Sequence, residues 1–221
     1  LIAAFFNTLK YVAIVVPIQT FLAMLIASVL NSNIKGKNTF RIIYFLPTLT
    51  SSSALTLIFM FMFNQEGLIN MFLKVFGVQG KNWLDDVDFV LKVIMAMNIW
   101  STVPFFMTIY LAGLQDVPAT QYEAASIDGA SIWQKIRYIT LPSLKPTIMI
   151  MVLLALGNVF RGDFGMFYQL VGSNQLLLKS SDILDTYIYR MLTTSPNVGL
   201  TAAAGLYQSV LCFVTILVAN G

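Results

Sequence analysis

The sequence contains no histidine and one cysteine, Cys212, and only 10 of its 221 residues are acidic. Zinc sites of the Cys/His type, Ser-His-Asp triads and intrachain disulfides cannot be assembled from such a chain. Charge of either sign is scarce: with 13 Lys and Arg, 10% of the residues are charged, where a soluble domain carries about 25%. Hydrophobic residues make up 57% and the mean hydropathy is +0.77. Too few polar groups remain to cover a water-facing surface, which argues against a soluble globular fold. The formal charge of +3 is small and unclustered, so it leaves no nucleic-acid footprint. There is no Gly-rich loop ending in Lys-Ser/Thr, hence no P-loop of the chain's own to hold ATP. No signal-peptide pattern opens the chain, Leu1 is not an initiator methionine and the last residues fall inside an apolar run. Both natural termini are expected to lie beyond this sequence.

Where charge is absent says more than how little there is. Residues 11–34, 42–65, 93–115, 146–160 and 191–221 carry none, stretches of 24, 24, 23, 15 and 31 residues. The other 104 residues hold all 23 charges, a density of 22% that resembles a soluble surface. A bilayer core of about 30 Å takes roughly 20 residues of helix. The expected spans are 11–30, with Pro17 inside; 43–63, with Pro47 near its start; 90–114, with Pro104 inside; a short one at 146–160; and 200–218. Unbroken apolar runs favour helices over a barrel, whose strands alternate over about 10 residues. The fold class is therefore all-α, a polytopic membrane helical bundle of about five spans forming a single transmembrane domain over 1–221.

The connection 31–41 carries Lys35, Lys37 and Arg41 without an acid and reads as cytoplasmic. Parity then puts 115–145 inside, 64–88 and 161–198 outside, Leu1 outside and Gly221 inside, so at least one further helix is expected upstream. Trp83 in 64–88 is a candidate interfacial anchor. The uncharged run 164–178, with Gly165, Gly172, Ser173, Asn174 and Gln175, reads as a loop or interfacial segment, with a re-entrant piece as the alternative.

Residues 115–146 form the longest polar stretch on the inner side. Asp116 before Pro118 signals a helix start, Gly129 a helix stop, and Ser131 caps a second helix expected to end before Pro142. Ala124, Ala125, Gly129 and Ala130 leave the corner almost without side-chain bulk, flanked by Glu123 and Asp128. Another protein's surface could approach that backbone closely.

Glu123-Ala124-Ala125, then Asp128-Gly129-Ala130, Trp133, and Leu141-Pro142 at this spacing resembles the EAA loop of binding-protein-dependent ABC importer permeases, with a maltose-permease-like core fold. The resemblance extends to Asn7-Thr8 entering the first span. Residues 163–171, 182–190 and 205–208 look like the subgroup that takes up oligosaccharides and polysaccharide fragments in Gram-positive bacteria. The family implies a multi-pass protein of the bacterial plasma membrane that is not itself an enzyme and binds no cofactor or metal. A second homologous permease would pair with it, and an extracellular solute-binding lipoprotein would deliver a carbohydrate. Two ATPase subunits, which hold ATP and Mg, would seat the 115–145 loops as coupling helices. The coupling residues implied are Glu123, Ala124, Ala125, Asp128, Gly129, Ala130, Trp133, Leu141 and Pro142.

The substrate path is read from polar and aromatic residues at membrane depth, where polar groups are costly: Asn98, Trp100, Phe105, Tyr110 and Asn158, with Asp163 at the outer edge. Helix packing or lipid contact is the plainer role for each aromatic. Arg190 is expected to make a local ion pair, Ala202 to Gly205 a small-residue packing face, and Cys212 a buried, inert site. The competing class is an ion-gradient-driven secondary transporter or channel subunit. It would place ionisable residues inside the spans, and the charge-free stretches argue against it. A membrane anchor or assembly subunit is a third reading.

Overall fold

The computed structural model describes residues 2–31, 36–159, 164–172, 174–194 and 198–220. Twelve helices are formed by them: α1 (Ile2–Asn31), α2 (Lys37–Leu49), α3 (Ser52–Phe63), α4 (Leu68–Val75), α5 (Val90–Gln115), α6 (Ala119–Ile127), α7 (Ile132–Lys135), α8 (Leu141–Val159), α9 (Phe164–Val171), α10 (Gln175–Ser181), α11 (Leu184–Thr194) and α12 (Val198–Asn220). The fold is an all-α membrane bundle. Five helical stretches are long and apolar enough to cross a membrane: Ile2–Asn31, Ser52–Val75, Val90–Gln115, Ile132–Gly157 and Val198–Ala219.

The centre of the bundle is α5, which runs against α1 in the most extensive helix pair and also touches α2 and α8. Its Ile94, Met97, Met107 and Tyr110 are fully buried, as are Tyr11 and Val15 of α1. Close approach of α5 and α8 depends on Gly113, where a Cβ would lie 3.0 Å from Leu144 Cδ2. The outermost helix is α12, which rests on α8 and α11 and exposes most of its length. Ala202 and Ala203 on it are exposed, Ala204 and Gly205 are half-buried, and a Cβ on Gly205 would meet nothing within 4 Å, so among the described residues no neighbour is packed closely against Gly205. Cys212 is only half-buried, its thiol directed at the Gly157 carbonyl.

The span expected at 43–63 is broken. Pro47 lies inside α2, which stops at Leu49. The Thr50 hydroxyl bonds back to the Leu46 carbonyl, and the Ser51 hydroxyl accepts from Ala54 N–H to start α3. Hydroxyls that bond the local backbone compete with helix continuation, which is why a Thr-Ser-Ser run after proline interrupts this span. After the turn 64–67, α4 packs against α3.

Other expectations are corrected in the same way. The first span starts nine residues early, because Lys10 sits exposed on the helix surface and does not end it. Asp116 closes α5 and does not open α6, whose start is set by Pro118. Nor does the helix begun at Ser131 end before Pro142: α7 runs through a π-helical turn, Ile136–Thr140, directly into α8. Proline at 142 has no N–H and would clash with the carbonyl four residues back. The wider turn, closed by Leu141 N–H on the Ile136 carbonyl, absorbs that defect. The short span expected at 146–160 is thereby lengthened to Ile132–Gly157.

Where a loop or interfacial segment was expected, α9 (Phe164–Val171) and α10, which starts at Gln175, are helical, and Met166, Phe167 and Leu170 of α9 enter the bundle beside α3. The α10–α11 corner is fastened to α1, since Asn7 Nδ2 donates to the carbonyls of Lys179 (3.2 Å) and Asp182 (3.1 Å) and Leu184 N–H donates to Thr8 Oγ1 (3.2 Å). Buried Asp182 pairs with Arg190 and accepts from Thr186 Oγ1 at 2.7 Å. Trp83 is also an internal fastener: its indole N–H donates to Asn70 Oδ1 (2.8 Å), while Asn70 Nδ2 holds the carbonyls of Asn64, Gln65 and Lys81.

Candidate functional site

Two sites are built on this frame. The first is the hairpin of α6 and α7. Gly129 has φ +74 and a Cβ there would touch nothing, so glycine is demanded by the left-handed backbone alone. Ala130 N–H reaches the Ala125 carbonyl (2.9 Å) and Gly129 N–H the Ser126 carbonyl (3.2 Å), the paired bonds of a Schellman C-cap. Ser131 and Gln134 then form a reciprocal capping box at the start of α7.

Two side-chain bonds brace the arms. Tyr122 OH meets Thr140 Oγ1 at 2.9 Å, tying α6 to the π turn, and Lys135 Nζ donates to Ser126 Oγ at 2.7 Å. Glu123, Ala124, Asp128 and Gly129 are exposed and Ala125 and Ala130 half-buried. Beside them Ile127 is 87%, Ile132 76% and Trp133 79% exposed. An apolar group so exposed gains by being covered, at about 25 cal/mol per Å². Leu141 and Pro142 lie across the π turn, exposed at the base of α8. Tyr122, Ser126, Gln134, Lys135 and Thr140 are site residues that the sequence reading passed over; the Ser-x-x-Gln capping pattern at 131–134 was the signal available for Gln134.

The second site is a cavity of about 400 Å³ at the α2–α3 break, lined by Thr48, Thr50, Ser52, Ser101, Thr102 and Phe105 among others. Ser101 and Thr102 stand near the midpoint of α5, a helix about 39 Å long at 1.5 Å per residue, so the cavity sits at mid-depth. Non-helical backbone is tolerated at that depth where it is buried in protein or lines a cavity. Thr102 Oγ1 lies 3.1 Å from Gln19 Oε1 of α1 and donates to the Asn98 carbonyl (2.7 Å), while Thr48 Oγ1 donates to the Ser101 carbonyl at 3.0 Å. The lining is hydroxyl-rich with Phe105 and Phe106 as aromatic walls, and none of the residues named for it is ionisable.

Of the residues expected on a substrate path, Phe105 lines this cavity and Asn98 is buried one turn from it. Trp100 faces away, edge-on to Phe59 at 5.4 Å. Tyr110 is wholly buried in the helix packing two turns toward the inner side. The Asn158 side chain and Asp163 lie outside the described residues. The run Thr48, Thr50, Ser51, Ser52, Ser53 inside a charge-free span was the sequence signal for the cavity. Among the described residues no group of three His, Cys, Asp or Glu could hold a metal.

A bundle with five helical stretches of membrane-spanning length, a broken helix and a braced helical hairpin at one end is the frame of a multi-pass membrane protein. The chain belongs to the family described as the binding-protein-dependent transport system inner membrane component, which it matches over residues 19–220. It is 34% identical over 168 residues to the trehalose/maltose transport system permease protein MalF of Thermococcus litoralis, covering 76% of this chain and 57% of that protein. It is 30% identical over 216 residues to the arabinooligosaccharides transport system permease protein AraP of Bacillus subtilis, covering 95% and 62%. A solved bacterial ABC transporter involved in the import of the acidic polysaccharide alginate matches with a TM-score of 0.91 at 28% identity, over 99% of this chain and 77% of that one. The chain therefore spans less than two thirds of the length of either curated relative.

Proposed function

We propose that the chain is the membrane-spanning subunit of an ATP-driven carbohydrate importer. It pairs with a second, homologous permease, receives its sugar from an external binding lipoprotein, and takes its energy from two ATPase subunits that hold ATP and Mg. The observation that carries this reading is the hairpin 115–145: internally braced, yet presenting Ile127, Ile132 and Trp133 uncovered beside the small-residue corner at Gly129. A rigid projection with an unburied apolar tip suits a groove on a partner. Because α7 continues into α8 without a loop, movement of the seated hairpin is delivered to a span as a rigid-body rotation. Glu123, Ala124, Ala125, Asp128, Ala130, Leu141 and Pro142 shape the seat and its junction with α8.

The cavity at the α2–α3 break is the passage for the sugar. The hydroxyl oxygens of Thr48, Thr50, Ser101 and Thr102, whose protons are donated to backbone carbonyls, accept hydrogen bonds from sugar hydroxyls, and Phe105 offers an aromatic face to a pyranose ring. The MalF and AraP names support a sugar or oligosaccharide as the cargo.

The test is reconstitution of the complex in proteoliposomes with a loaded binding protein. Glu123→Lys and Gly129→Asp are expected to abolish ATP-coupled uptake while leaving membrane insertion intact. Normal uptake by either variant would overturn the coupling role.

A further inference from the structure

We propose that the cleft between α2 and the inner half of α5 is a binding site for an anionic phospholipid, with the lipid phosphate on Arg41 and an acyl chain along the cleft. The cleft encloses about 390 Å³, and its walls are Ile42, Leu46, Leu49, Met107 and Leu111, with Arg41 closing one end. Ile42 and Leu49 remain 68% and 73% exposed, so among the described residues nothing covers this part of the apolar wall.

Arg41 supplies the chemical identity of the occupant. Its Nε is shielded from solvent and has no hydrogen-bond partner. The ion pairs among the described residues are Lys81–Asp86 and Arg190–Asp182, so no carboxylate answers Arg41. A desolvated donor on a permanent cation without an acceptor is costly. A phosphate oxygen is the acceptor whose geometry a guanidinium matches best. Lys37 stands half-buried one turn before it, and no acid occurs in the sequence before Glu66.

Depth agrees with chemistry. Arg41 lies on the first turns of α2 at its inner, basic end, and Leu49 is eight residues further on, about 12 Å deeper at 1.5 Å per residue. A cleft with a cation at headgroup level and, Thr108 apart, apolar side chains below it fits a phospholipid, and basic pockets between spans on the cytoplasmic side are where anionic headgroups bind. The Thr108 hydroxyl in the wall is already committed to the Pro104 carbonyl, which leaves the Arg41 guanidinium as the polar contact on offer.

The experiment uses the chain in the complex with which it purifies, in nanodiscs of equal phosphatidylglycerol and phosphatidylcholine, read by native mass spectrometry after detergent release. Wild type is expected to retain phosphatidylglycerol selectively, and Arg41→Gln to lower that retention about tenfold, the scale of one lost charge-assisted contact. Leu111→Trp, which fills the cleft from the other helix with Arg41 intact, is expected to lower it as well and decides the matter if Arg41→Gln fails to assemble. A lipid carrying a photoreactive acyl chain is expected to label Leu46 or Leu111. Unchanged retention in the assembled variants would overturn the proposal. A cysteine at position 46 that crosslinks to a partner protein would overturn it too, assigning the cleft to a protein interface while leaving the importer reading untouched.

Discussion

Single residues that answer a local chemical demand are where sequence and structure agree most closely. A glycine must supply the left-handed turn at 129, and Ser131 meets unsatisfied helix N–H groups, so both roles could be read without tertiary information. Asp116 was misread because a carboxylate near a proline has two local uses, and the chain spends it closing α5. Asp86 makes a testable case in the outer segment 64–88. The ammonium of Lys81 donates to its carboxylate at 2.7 Å and Asp88 N–H at 2.9 Å, and these bonds, the Lys81 bond first, hold the group below the usual carboxylate range. A depressed carboxylate stabilises the fold above its unfolded pKa, and that contribution is lost as pH falls through the folded value. Lys81 also lies over the rings of Phe89 (3.5 Å) and Trp83 (4.8 Å). Protonation of Asp86 is therefore expected to loosen the packing around Trp83 as pH drops below the ordinary aspartate range. In a chain whose only tryptophan is Trp83 (Trp100→Phe, Trp133→Phe), the emission should shift with acid, and Asp86→Asn should abolish the shift. Because the pair is partly open to solvent, little change in global stability accompanies it.

At the level of elements, gaps in charge located the spans, since the cost of charge in lipid is paid residue by residue. Breaks within the spans were not legible from the same signal. Pro17 and Pro104 continue their helices, whereas Pro47 precedes a break and Pro142 follows a π turn. Hydroxyls bond back to carbonyls beside both Pro104 and Pro47, Thr108 to Pro104 and Thr50 to Leu46; what separates Pro47 is the second capture, in which the Ser51 hydroxyl accepts from Ala54 N–H and starts a new helix. The double variant Thr50→Ala, Ser51→Ala removes both captures. Loss of the Ser51 cap alone costs about 0.5–2 kcal/mol at the α3 start, and the two helices should then tend to join and close the cavity beside Ser101 and Thr102. The expected outcome is a rise of several-fold in the KM for sugar uptake, with the complex assembled and its ATPase still stimulated by the binding protein. An unchanged KM would separate the α2–α3 break from the sugar path.

For the whole molecule, the missing information was which face of each span meets which neighbour. Spans such as α1 and α5 are apolar all round, so no periodicity marks the side that is buried, and Tyr110 could not be told from Phe105 by sequence. Their surroundings separate them: Tyr110 is enclosed by helix packing, while Phe105 walls the cavity. The cavity also bears on the source of energy. A pathway driven by an ion gradient needs a titratable or ion-coordinating charge within the membrane. Here the polar lining groups named at mid-depth are hydroxyls, and both ion pairs among the described residues belong to outer segments, Lys81–Asp86 and Asp182–Arg190. In the function proposed above, force from a partner enters through the hairpin of α6 and α7, which is continuous with α8. Collapse of proton and sodium gradients with ionophores is therefore expected to leave sugar uptake by ATP-loaded proteoliposomes unchanged, while removal of ATP stops it. Uptake that follows the ionophore and ignores ATP would place the driving charge within the spans and reassign the chain to the secondary transporters.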